Sequence, residues 1–186
     1  MTGGYAGVIA AQQAVGPTLA SWTTAVTAIH PTGLVTLGSN YMAIRKLLRV
    51  TAIMGVSNVI TAQNQYTFQI KMGSVVAWTS GAIACNTAAH TLLPAKLVVD
   101  LLLSTVGSGT NAHYIGVGHL SGIVWSQAAG ADPVNGNSIL CPITAPAEGT
   151  GFDSTVANIL DFFIGCQTSA SGNSIIVYNY YVEDLT

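Results

Sequence analysis

The sequence predicts an all-β protein: an antiparallel β-sandwich of jelly-roll-like kind, with about eight strands and an irregular N-terminal arm. Three observations carry that expectation. Several segments alternate apolar and polar residues with a period of two. In "YTFQIKM", Tyr66, Phe68, Ile70 and Met72 face one side and Thr67, Gln69 and Lys71 the other, whereas a helix would scatter them around its circumference. Turn formers punctuate the chain at irregular intervals, and one long turn-rich connection interrupts the pattern. No segment reads as a convincing helix. The 186 residues suit one domain of ordinary size, predicted over residues 18–186 with residues 1–17 as the arm.

Taken in order, the arm "MTGGYAGVIAAQQAVG" has weak structural preference, and Gly16 and Pro17 end any helical turn within it. It has no basic region before its apolar residues and carries Gln12 and Gln13 in the middle, so it does not read as a signal peptide. "SWTTAVTAI", dense in β-branched residues and closed by His30 and Pro31, is predicted as the first core strand. "KLLRVTAIMG" places Leu48, Val50, Ala52 and Met54 on one face and Arg49 and Thr51 on the other. After "YTFQIKM", the turn at Gly73 leads to "SVVAWTSG", a hairpin partner.

"AKLVVDLLLSTVGSG" puts Leu97, Val99, Leu101 and Leu103 on one face and Val98, Asp100 and Leu102 on the other. Both faces are largely apolar, so this strand is expected to be covered twice, by its own sandwich and by something else. "AHYIGVGHLSGIVW" returns as a long strand whose Gly116, Gly118 and Gly122 point to close strand packing. Residues 126–151 read as a long surface connection. "TVANILDFFIGCQ" and "NSIIVYNYYVE" close the domain. In the last of these Ile176, Tyr178, Tyr180 and Val182 are expected on one face and Ile175, Val177, Asn179, Tyr181 and Glu183 on the other.

Charge is the unusual quantity. Five Lys and Arg with seven Asp and Glu make 6% of the residues, against about 25% in an ordinary soluble protein. A surface so poor in charge exposes apolar area, which points to a protein that lives in an assembly. The net charge of −2 and the lack of a cationic cluster beyond Arg45, Lys46 and Arg49 argue against a nucleic-acid partner. No apolar run of roughly 18 residues is present to form a membrane-spanning helix, and a membrane barrel would want aromatic girdles and an outward apolar band in every strand. No membrane partner is therefore expected.

Little in the chain resembles chemistry. Cys85, Cys141 and Cys166 have neither disulfide-framework nor zinc spacing and are expected as buried free thiols. "GHLSG" sets Ser121 within a predicted strand, where a nucleophile elbow needs a strand-to-helix turn. His113 and His119 share a face but lie about 20 Å apart, too far for one metal. Asp100 and Asp161 remain open as a pair across strands, although an Asp in so uncharged a sheet more often meets a lone cation such as Arg49 or Lys96. No cofactor, metal or catalytic residue is expected.

The order of "KLLRVTA", "YTFQIKMGSVVAWTSGAIA", "LVVDLLLSTVGSGTNAHYIGVGHLSG" and "APAEGTGFDSTVANILDFFIGCQTSASGNSIIVYNYYVEDL" resembles small jelly-roll structural proteins of tailed bacteriophages. The resemblance rests mainly on "GTGFDSTVA" and the apolar last strand. It implies a virion protein made in the host cytoplasm. With the low charge, it leads to the expectation of a non-enzymatic capsid decoration or cement protein. Such a protein would bind the major capsid protein on the outer head as a homo-oligomer, a trimer.

The residues expected to make those contacts are Tyr5, Gln12 and Gln13 in a strap reaching a neighbour, and Phe162, Phe163, Tyr178, Tyr180 and Tyr181 as core and subunit anchors. The alternative is a host-receptor or glycan-binding jelly roll of a tail or head fibre, with Trp22 or Trp125 exposed and residues 126–151 as the binding segment. A major shell-forming jelly roll is a third reading.

Overall fold

A computed structural model describes residues 7–59, 64–126, 137–144 and 148–186. Within them the chain forms thirteen strands and one short 3-10 turn at Pro31–Gly33. The first four strands are β1 (Gly7–Ala11), β2 (Leu19–Ala20), β3 (Val26–Thr27) and β4 (Val35–Leu37). The body of the fold is β5 (Leu47–Asn58), β6 (Gln65–Met72), β7 (Val75–Cys85), β8 (His90–Thr105) and β9 (His113–Gly122). It is completed by β10 (Trp125–Ser126), β11 (Asn137–Cys141), β12 (Asn158–Cys166) and β13 (Ser174–Asp184).

All pairings are antiparallel and fall into two sheets. The front sheet runs β1-β13-β5-β8-β9-β11, with β2 also on β13; the back sheet runs β10-β7-β6-β12-β3, with β4 also on β12. The pairings nest: β5 with β13, β6 with β12, β7 with β10, β8 with β9. An early strand thus meets a late one throughout, as in a ribbon wound on itself. This is the expected sandwich, with short marginal strands of two to five residues added to the expected long ones.

The period-two readings hold where both neighbours are long strands. Leu48, Val50, Ala52 and Met54 are buried, as are Tyr66, Phe68, Ile70, Met72, Leu97, Val99, Leu101 and Leu103. Aromatic rings knit the sheets together: Phe162 stacks between Phe68 and Tyr180, with centroids 6.2 and 6.0 Å away, and Trp125 meets Tyr66 and Phe68 edge-on. The glycines of β9 serve close packing as expected. Trp78 of the back sheet lies over Gly116 and Gly118, its indole N–H donating to the Gly116 carbonyl at 3.1 Å.

Four expectations are corrected. "SWTTAVTAI" is no core strand; its one strand is the two-residue β3 at a sheet margin, cut off from β2 by the left-handed backbone of Ser21 (φ 55°), and its buried Ala28 and Ile29 lie beyond that strand. The last strand does not keep one alternation along its length. Its register against β5 shifts between Val177 and Asn179, and this bulge moves the buried set from Ile175 and Val177 to Tyr180 and Val182. Ile176 and Tyr178 consequently face away from the core.

From Gly7 the N-terminal arm is no irregular strap. It pairs with β13 as an edge strand, and the Gln12 and Gly16 N–H groups donate to the carbonyls of Tyr180 and Val177. Its uncharged, small-residue sequence offers no helix signal to compete with that open edge. The connection over residues 126–151, finally, contains the strand β11, which adds to the outer edge of β9.

Candidate functional site

The front sheet presents its outward side chains on a face that none of the described residues covers. Register places Leu47, Leu102 and Ile115 in one row across β5, β8 and β9. Asp100 and Val117 form the next row, and Val98, His119 and Leu140 the one after. Leu102, Ile115, Val117 and Leu140 are 39, 37, 48 and 67% exposed. The doubly apolar β8 read from sequence is therefore covered by its own sandwich on one side and, among the described residues, open on the other.

Ionic groups lie between and beside the aliphatic rows. Arg49 grips Asp100 bidentately, Nε to Oδ1 at 2.7 Å and the terminal nitrogen to Oδ2 at 2.9 Å, with Glu183 opposite Arg49 on β13. The hydrogen bonds and charge of Asp100, with a smaller effect of Glu183, raise the Arg49 pKa further. A second cluster pins the end of β13: Lys46 and the Tyr41 hydroxyl both engage Asp184, and the Lys46 ammonium sits 4.2 Å above the Tyr41 ring. Burial works against ionising Asp184, yet Lys46, Tyr41 and Thr186 together lower it to about 2. On β9 and β11, His119 and Ser138 are hydrogen-bonded across the strands.

The back sheet has a different outer face. Along β6 the outward residues are Gln65, Thr67 and Gln69, and Thr67 is flanked by Gly165 on β12 and Ala82 on β7. These small neighbours leave an open trough of about 420 Å³ between taller amide side chains. One register row beyond it Lys71 opposes Asp161, with the Lys71 ammonium 3.7 Å from the Phe163 ring centroid. Burial raises the Asp161 carboxyl above its ordinary range against the pull of the Thr27 hydroxyl, the Phe162 N–H and Lys71.

The residues singled out from sequence separate into distinct environments. Tyr5 lies outside the described residues. Gln12 is buried in its own domain, its Nε2 donating to the Val177 carbonyl and its Oε1 accepting from the His30 N–H. It is turned away from any neighbour because it satisfies backbone groups at the sheet margin. Gln13 is exposed, and its backbone N–H donates to Thr32. Phe162 and Tyr180 are fully buried, whereas Phe163 and Tyr181 are half-buried on outer faces. Tyr178 is 43% exposed and lies across Gly55, where an added Cβ would come within 2.7 Å of its hydroxyl.

Neither tryptophan stands free in a loop: Trp125 is fully buried, and Trp22, half-buried, packs on Tyr66 with its N–H donating to the Ile164 carbonyl. Of the proposed binding segment, residues 127–136 and 145–147 lie outside the described residues. Asp100 and Asp161 project from opposite sheets and form no pair. Asp100 has the lone cation Arg49 instead. The three thiols are free and buried; burial raises Cys85 and Cys166 and takes Cys141 to about 11. Among the described residues no three His, Cys, Asp or Glu side chains converge to hold a metal.

No protein-family model matches the chain, and no curated protein matches it at a significant level. Two solved structures are similar over most of its length. One is the CBM2 module of the evolved Dit of Lactobacillus casei BL23 phage J-1, 10% identical over 81% of this chain and 67% of that one, with a TM-score of 0.35. The other is a conserved carbohydrate esterase from the Shiga toxin-encoding bacteriophage phi24B, 13% identical over 98% of this chain and 100% of that one, with a TM-score of 0.33. Both superpose only loosely, so the functional reading belongs to the chain's own residues.

Proposed function

We propose that this chain is a non-enzymatic virion protein, a capsid decoration protein that binds the outer head of a tailed phage as a homo-oligomer through the outer face of its front sheet. The observation that carries the reading is the set of exposed aliphatic side chains on β8, β9 and β11, in a protein with only 6% charged residues. A free monomer gains nothing by displaying Leu102, Ile115, Val117 and Leu140 together on a flat sheet. Covering them contributes about 25 cal/mol per Å² of apolar area, against which association costs must be set. Glu183, Arg49 and Asp100 run as a paired, charged row between the two aliphatic rows, where such charges fix orientation more than affinity.

The test is co-sedimentation of the purified protein with mature, expanded heads made without it, beside immature heads and isolated tails. Saturable binding to expanded heads at a fixed copy number supports decoration. Binding to tails alone, or to none of the three, refutes it.

A further inference from the structure

The trough on the back sheet has a chemistry of its own, on the side opposite the proposed assembly face. Its floor is Gly165, Ala25 and Ala82, and Gln65, Gln69 and Gln167 stand around it with Thr67 at the centre. From Gln65 to Gln69 it extends about 13 Å at roughly 3.3 Å per residue. Its volume of about 420 Å³ lies in the range of about 300–1,000 Å³ common to small-ligand sites.

What lines the trough restricts what enters it. The lining contains no charged residue, the nearest being Lys71 and Asp161 in the row beyond. A phosphate or carboxylate ligand would therefore find no counter-charge. The backbone of β6 is paired on both sides, with β7 and β12, so no peptide can add to it as a strand. The side chains of Gln65, Gln69, Gln167 and Thr67 make no hydrogen bond to other described residues. Each amide offers both a donor and an acceptor, as vicinal hydroxyls require, while the Cα and methyl groups of the floor match the C–H face of a sugar ring.

We infer that the Gln65–Gln69 trough is a binding site for a neutral oligosaccharide, contacted by the three glutamine amides and Thr67 over the Gly165 floor. This site stands independently of the assembly face, and the two readings fail separately.

The experiment titrates the 15N-labelled full chain with neutral oligosaccharides of glucose, galactose, mannose and N-acetylglucosamine, and with a sulfated heparin fragment as the anionic probe. The side-chain amide resonances of Gln65, Gln69 and Gln167 are followed. At least one neutral sugar is expected to shift them saturably. Gly165 has a backbone open to any residue, and an added Cβ would lie 3.6 Å from Ala25. Gly165→Val should therefore fill the trough, leave the fold intact and abolish the shifts. Gln69→Leu keeps the shape, removes the amide and should weaken binding about tenfold. No saturable shift with any neutral sugar, shifts that survive both substitutions, or binding of the heparin fragment alone would overturn the assignment.

Discussion

Gly116→Ala tests how the back sheet holds the front one in place. A Cβ at Gly116 would lie 2.3 Å from Trp78 Cδ1, 2.9 Å from its Nε1 and 2.8 Å from Leu101 Cδ2. Carbon atoms in contact sit about 3.5–4.0 Å apart, so the indole must retreat by roughly 1.2 Å or more. That retreat strains the hydrogen bond from the Trp78 N–H to the Gly116 carbonyl, 3.1 Å in a buried setting. Overpacking costs about 1–3 kcal/mol and a weakened buried hydrogen bond about 1 more, while replacing a strand glycine recovers about 0.5–1. The net expectation is about 1–3.5 kcal/mol of destabilisation.

Urea unfolding followed by tryptophan fluorescence measures this change. Gly38→Ala, which meets nothing within 4 Å, serves as the neutral control. Adding Trp78→Leu to Gly116→Ala should cost less than the two changes summed, with a coupling above about 1 kcal/mol. A Gly116→Ala midpoint equal to wild type, or strict additivity with Trp78→Leu, would refute the account of β9 packing.

Three further outcomes are expected. Paired Leu102→Ser and Ile115→Thr substitutions on the front face should abolish self-association in analytical ultracentrifugation while costing no more than about 1–2 kcal/mol in urea unfolding, since both side chains are partly exposed. Asp184→Asn should cost about 1–2 kcal/mol near neutral pH after allowance for solvent screening. Because the Asp184 carboxyl is lowered from 3.8 to about 2, its stabilisation is present above its unfolded pKa and fades as pH falls through the folded value. The wild-type and variant stability curves should therefore converge in acid. Tyr180→Phe should be neutral, or stabilising by up to about 1 kcal/mol in urea unfolding, because the buried hydroxyl has no hydrogen-bond partner among the described residues.

The candidate surfaces were legible in part. The apolar outer side of β8 stands out in "LVVDLLL", and the polar row Gln65, Thr67, Gln69 is written into "QYTFQ". Their companions are not. Ile115 and Val117 alternate with glycines that read only as packing points, and Leu140 lies in a stretch that reads as connection. Gly165 and Ala25 reach the trough from opposite ends of the chain because β12 pairs with both β6 and β3. Tyr178 and Tyr180 exchange environments at a bulge that leaves no mark in local periodicity.

By itself the sequence determined the class of fold, the buried faces of β5, β6 and β8, the role of the β9 glycines and the scarcity of charge. Alternation and composition are local properties, and a pleated strand converts them directly into faces. Only the tertiary structure decided which strand lies beside which. It closed the N-terminal segment onto β13, buried Trp125 and Gln12, separated Asp100 from Asp161, and brought a glycine of β12 beside a threonine of β6. Those outcomes depend on register between distant segments, and a shift of one residue in register exchanges core for surface.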